Sequence, residues 1–80
     1  MKIVLYGRLA DSLGRELHLD VGGSCTISAI KERIIRDHPV AAETLMKRSS
    51  RAVVGGLLLS DDQVVGGEDI VEFLPPLSGG

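Results

Sequence analysis

The residues best suited to chemistry in this 80-residue chain lie at its far end. Leu77-Ser78-Gly79-Gly80 follows two consecutive prolines, Pro75-Pro76, which follow an apolar run, 70–74. Proline fixes φ and offers no amide donor, so a strand cannot continue through it and the segment beyond is expected to be extended. Glycine cannot pack and is costly to order, but it can enter a channel too narrow for a Cβ. The expectation is a short tail, 76–80, that stands off a folded domain, 1–75, and presents the carboxylate of Gly80 inside another protein.

Other chemistry-bearing residues have simpler explanations. Cys25 is the single cysteine, which excludes an internal disulfide and a multi-cysteine metal site. It lies among Ser24, Thr26 and Ser28 and reads as a small residue at a helix entrance, with no base nearby to activate it. His18 falls on the wet side of a strand pattern, and His38 falls where a helix ends and free carbonyls need donors. Asp61, Asp62, Glu68 and Asp69 lie in polar connections without calcium-loop spacing, so no metal site is expected.

Composition narrows the function class. The chain is 44% hydrophobic and 25% charged, a globular balance sufficient for one small domain. A net charge of −2, one Tyr, one Phe and no Trp argue against nucleic acid as a partner. Apolar runs are far too short to span a membrane, and Arg8 and Asp11 interrupt any signal-peptide pattern, so a cytoplasmic protein is expected.

The elements that must position the tail follow from periodicity. Residues 2–6 read as a strand with Ile3 and Leu5 on one face and Lys2, Val4 and Tyr6 on the other. Residues 8–13 read as a short loop or one helical turn, and 16–21 alternate with Leu17, Leu19 and Val21 inward. After Gly22-Gly23, Thr26 or Ser28 caps a helix with Ile27, Ile30, Ile34 and Ile35 on its apolar side. Lys31, Glu32, Arg33, Arg36 and Asp37 are assigned to its wet side, and Pro39 ends it near His38. A shorter helix is expected over 40–48, then strands at 51–54 and 57–59 around a Gly55-Gly56 hairpin turn. Val64-Val65 returns to the core, and 70–74 is the last strand, with Val71 and Phe73 inward.

This order, ββα(α)βββ, implies an α+β fold of the β-grasp, ubiquitin-like kind. A mixed sheet of four to five strands carries the main helix on one face, and the first and last strands lie side by side in parallel. The other face is left uncovered. By alternation it carries Val4, Tyr6, Leu74 and one register of 57–59, assigned here to Leu57, and it adjoins the base of the tail at Pro75 and Pro76. Apolar surface of this kind marks a partner site.

Phe73-Leu74-Pro75-Pro76-Leu77-Ser78-Gly79-Gly80 resembles the C-terminal signature of the MoaD family, the small subunits of molybdopterin synthase. Val4-Leu5-Tyr6-Gly7-Arg8-Leu9, Thr26-Ile27, Arg51-Ala52-Val53-Val54 and Gly67-Glu68-Asp69 follow the order and spacing of that family along essentially the whole chain. The chain departs where the family often has Asn at the turn after the third strand, here Val54-Gly55-Gly56, and where Gly-Asp-Glu reads Gly67-Glu68-Asp69. The resemblance implies a sulfur carrier. A MoeB-like enzyme adenylates the Gly80 carboxylate with ATP, a sulfur donor converts it to a thiocarboxylate, and a MoaE-like large subunit passes the sulfur to precursor Z. On this implication Gly80 is the covalent site, the chain itself binds no cofactor, and ATP belongs to the activating partner. A ThiS-like carrier or a ubiquitin-like modifier would use the same Gly-Gly end.

Overall fold

The structure is a computed structural model that describes residues 1–46 and 51–74. The proposed tail, with Pro75, Pro76, Leu77, Ser78, Gly79 and Gly80, lies outside the described residues, as do the last two residues of the helix expected over 40–48.

β1 (Lys2–Leu5) leads through Tyr6 into α1 (Gly7–Leu13), and β2 (Glu16–His18) returns antiparallel to β1. β3 (Ser24–Thr26) precedes the main helix, α2 (Ile27–Asp37). A 3-10 turn at Pro39–Ala41 and α3 (Ala42–Leu45) follow. The rest is β4 (Arg51–Val54), β5 (Leu57–Leu59), β6 (Val64–Gly66) and β7 (Ile70–Leu74). Five strands form a mixed sheet in the order β2-β1-β7-β4-β5, and β3 pairs with β6 in a second, two-stranded sheet. β1 and β7 are parallel neighbours, with Ile3 opposite Val71 and Leu5 opposite Phe73. β7 is thus the middle strand, antiparallel to β4 on its other side.

One side of the sheet forms the core. Ile3, Leu5, Val71, Phe73 and Ala52 meet Ile27, Ile30 and Ile34 of α2, all buried. Leu9 and Leu45 are buried in the same cluster, and the segment expected as a loop or single turn at 8–13 is a two-turn helix anchored by Leu9. Burying an aliphatic side chain contributes about 1.5–3 kcal/mol, and this cluster must offset the chain entropy of the whole domain.

The start of α2 explains two departures from the sequence reading. Thr26 caps the helix, its Oγ1 accepting the Ala29 amide at 3.1 Å. The Ile27 and Ser28 amides donate instead to the carbonyls of Gln63 and Asp61, at 3.0 and 2.9 Å. Free donors of the first turn are thereby satisfied by the segment after β5. That segment continues as β6, which pairs with β3, Cys25 opposite Val65. β3 is a strand that local alternation did not reveal. Lys31, expected on the wet side, is 8% exposed. Its ammonium reaches Asp61 Oδ1 at 2.8 Å, drawn in because the same loop is already docked on the helix.

Candidate functional site

The side of the sheet opposite α2 has no element packed over it among the described residues. Register places its side chains in rows. The central row runs Glu16, Val4, Glu72, Val53 and Leu58 across β2, β1, β7, β4 and β5. Lys2 and Ile70 are neighbours in the next row, and at the other end Leu74 sits opposite Arg51. Tyr6 follows Leu5, which is paired with Phe73, so Tyr6 and Leu74 emerge side by side at the end of the sheet from which the chain passes to Pro75. Val4, Tyr6, Val53, Glu72 and Leu74 are half-buried, while Leu58 and Ile70 are exposed.

Tyr6 and Leu74 are therefore brought together on the open face. Leu57 is not. It pairs with Val54, and Leu59 pairs with Ala52, which places both on the helix side of the sheet. Leu57 projects at the sheet edge, 69% exposed, and Leu58 is the member of the leucine run that belongs to the open face. Val53, Leu58 and Glu72, which the sequence reading did not name there, complete the open face beside Val4, Tyr6 and Leu74. Alternation within 51–54 carried the signal for Val53, but the β4–β7 register was needed to use it.

One polar contact organises the face. The Tyr6 hydroxyl donates to Glu72 Oε2 at 3.0 Å. That hydrogen bond is the main reason the Tyr6 pKa is raised, with burial and the negative charge of Glu72 acting in the same direction and Arg15 opposing them. Removing the phenolic proton would cost the bond and place two anions side by side.

The remaining chemistry-bearing residues do not converge on this face. Cys25 lines a groove of about 440 Å³ on the helix side, with Asp20, Val21, Arg33 and Arg36. Arg33 is engaged there, with Nη1 3.4 Å from the Asp20 carbonyl and Nε 3.4 Å from Asp37 Oδ2. His18 is exposed beside Glu16, and His38 caps α2 with its backbone amide on the Ile34 carbonyl. Asp62 and Asp69 accept turn hydrogen bonds from the Ser60 hydroxyl and the Gly66 amide. Among the described residues no cluster of three or more His, Cys, Asp or Glu could hold a metal, and no helix is long and apolar enough to cross a membrane.

SAMP1 from Haloferax volcanii, a crystal structure, superposes with a TM-score of 0.80 at 23% sequence identity, covering 99% of this chain and 97% of that one. The chain has the ubiquitin-like β-grasp fold. No family model matches the sequence, and no curated protein matches it. At this identity the likeness is one of fold, extending over the full length of both chains.

Proposed function

We propose that this protein is a sulfur carrier and the small subunit of a molybdopterin synthase. The observation that carries the reading is the run Pro75-Pro76-Leu77-Ser78-Gly79-Gly80, joined directly to β7, the middle strand of a β-grasp body. The open face beside that junction supports it, since a carrier needs a docking surface next to the group it delivers.

The chemistry places all reactivity at Gly80. Its carboxylate attacks the α-phosphorus of ATP in a MoeB-like activating enzyme, releasing pyrophosphate and forming an acyl-adenylate. A sulfur donor at the oxidation level of sulfide displaces AMP, leaving a thiocarboxylate. The tail then enters a MoaE-like large subunit, where the sulfur is donated to precursor Z. Leu77, Ser78 and Gly79 thread the channel, with Pro75 and Pro76 setting its direction. Tyr6 and Leu74 contribute to docking, with Leu58 in place of Leu57 as the leucine on that face. The body supplies neither a base nor a nucleotide site.

Incubation with an activating enzyme, ATP and a sulfur source, followed by intact mass, tests this. The expected gain is that of one oxygen replaced by one sulfur, located to Gly80 and absent after deletion of Gly80. Adducts linking Gly80 to lysines of other proteins would instead identify a modifier, and an unchanged mass would overturn the carrier reading. Tyr6→Asp and Leu74→Asp should each weaken partner binding by roughly tenfold or more, because each buries an unpaired charge at the interface. Unchanged affinity in both would remove the face from the docking site.

A further inference from the structure

The open face carries a carboxylate in its middle, and its two acidic residues are served very differently. Glu16, at the sheet edge, has Lys2 Nζ 3.4 Å from one oxygen and His18 Nε2 3.8 Å from the other. Glu72 lies on the middle strand between Val4 and Val53 and is half-buried. Its Oε2 accepts the neutral Tyr6 hydroxyl. Among the described residues, Oε1 receives no hydrogen bond and no cation lies within ion-pair distance of either oxygen.

Such a carboxylate is stable while water reaches it. A purely apolar partner surface laid over the face would strip that water from an anion left with one neutral donor. The loss would outweigh what Val4, Val53 and Leu74 contribute by being covered. A partner that covers this face must therefore bring positive charge to its centre. Arginine suits the position better than lysine, because its planar, weakly hydrated guanidinium can reach Oε1 and still share Oε2 with a hydroxyl.

We propose that the protein surface docking on this face presents a cationic side chain, preferentially arginine, set among apolar residues, and that it pairs with Glu72 through the oxygen that the Tyr6 hydroxyl leaves open. This rests on the carrier reading above, in which a large subunit covers the face. Tyr6 acts as a positioning residue, holding the carboxylate in one orientation before the partner arrives. The pair supplies specificity as well as affinity, since a surface lacking the cation is rejected by the unpaired anion.

The test is the affinity of the full-length chain for a MoaE-type large subunit, with wild type, Glu72→Gln and Glu72→Leu compared at low and high salt. Thermal unfolding reports that each variant is folded, and Glu72→Gln, which keeps an acceptor for Tyr6, decides the matter if Glu72→Leu does not fold. Glu72→Gln should bind at least about tenfold more weakly. Glu72→Leu should also bind more weakly although it adds apolar surface, and both should lose part of the salt dependence shown by wild type. Equal or tighter binding by Glu72→Gln overturns the inference. If wild type still gains its thiocarboxylate in that case, the carrier reading stands. A wild type that gains no thiocarboxylate overturns the carrier reading, and one that also fails to bind the large subunit overturns both.

Discussion

The Tyr6 hydroxyl, bonded to Glu72, makes the stability of this protein sensitive to alkaline pH. The folded-state pKa of Tyr6 is raised, while an unfolded tyrosine titrates near about 10. The folded state therefore holds this proton more tightly. The contribution is fully present below about pH 10 and is lost as pH rises through the folded value. Tyr6→Phe should remove that component, so wild type and variant should converge in thermal stability above the folded pKa. The chain has one tyrosine and no tryptophan, so ultraviolet absorbance follows this phenol alone. Its midpoint should lie above about 10 in the native protein and move back toward that value in Glu72→Gln. A native midpoint at or below the unfolded one would show that the hydrogen bond does not form in solution.

At the scale of elements, the β4–β5 hairpin depends on its two glycines in different ways. Gly55 and Gly56 have φ of +56° and +82°, the paired left-handed conformation that tight hairpins require. The Gly55 value is one that asparagine adopts readily. Space is not limiting at either residue, since no atom lies within 4 Å of an added Cβ. The cost of a substitution is then the backbone strain alone. Gly56→Ala should destabilise the protein by about 1–2 kcal/mol, whereas Gly55→Asn should be near neutral. Urea denaturation of the two variants checks the asymmetry, and equal losses would contradict it.

For the molecule as a whole, stability converges on β7. Phe73 is fully buried, its strand is bonded to β1 on one side and β4 on the other, and its side chain points at the α2 layer. Phe73→Ala should cost about 3–5 kcal/mol, a large part of the roughly 5–15 kcal/mol available to a small domain. The urea midpoint should fall with the slope unchanged if unfolding remains two-state. The same strand turns Glu72 to the open face and leads the chain to Pro75, so the core, the proposed docking surface and the proposed tail share one support. A destabilised β7 should therefore impair partner binding as well as folding.

Much of this was legible from residue order because its causes are local. The alternation in 2–6, 16–21 and 70–74 marks strands and their buried faces, although the second strand ends at His18, and the isoleucine spacing marks α2. Thr26, Pro39 and Gly55-Gly56 punctuate elements through their own backbone and side-chain preferences. The proposed role of the Gly79-Gly80 end and its prolines rests on the sequence alone, since these residues lie outside the described ones. Tertiary structure decided what depends on contacts between distant segments. β3 is a strand because β6, some forty residues later, supplies its hydrogen bonds. Lys31 is buried because the loop that serves the free amides of α2 also brings Asp61 to it. Leu58 rather than Leu57 faces the open side because β4 fixes the register of β5, and a shift of one residue exchanges the faces. Tyr6 meets Glu72 only because β1 lies parallel to β7, a pairing that becomes physical once the chain between them has folded over one side of the sheet and left the other uncovered.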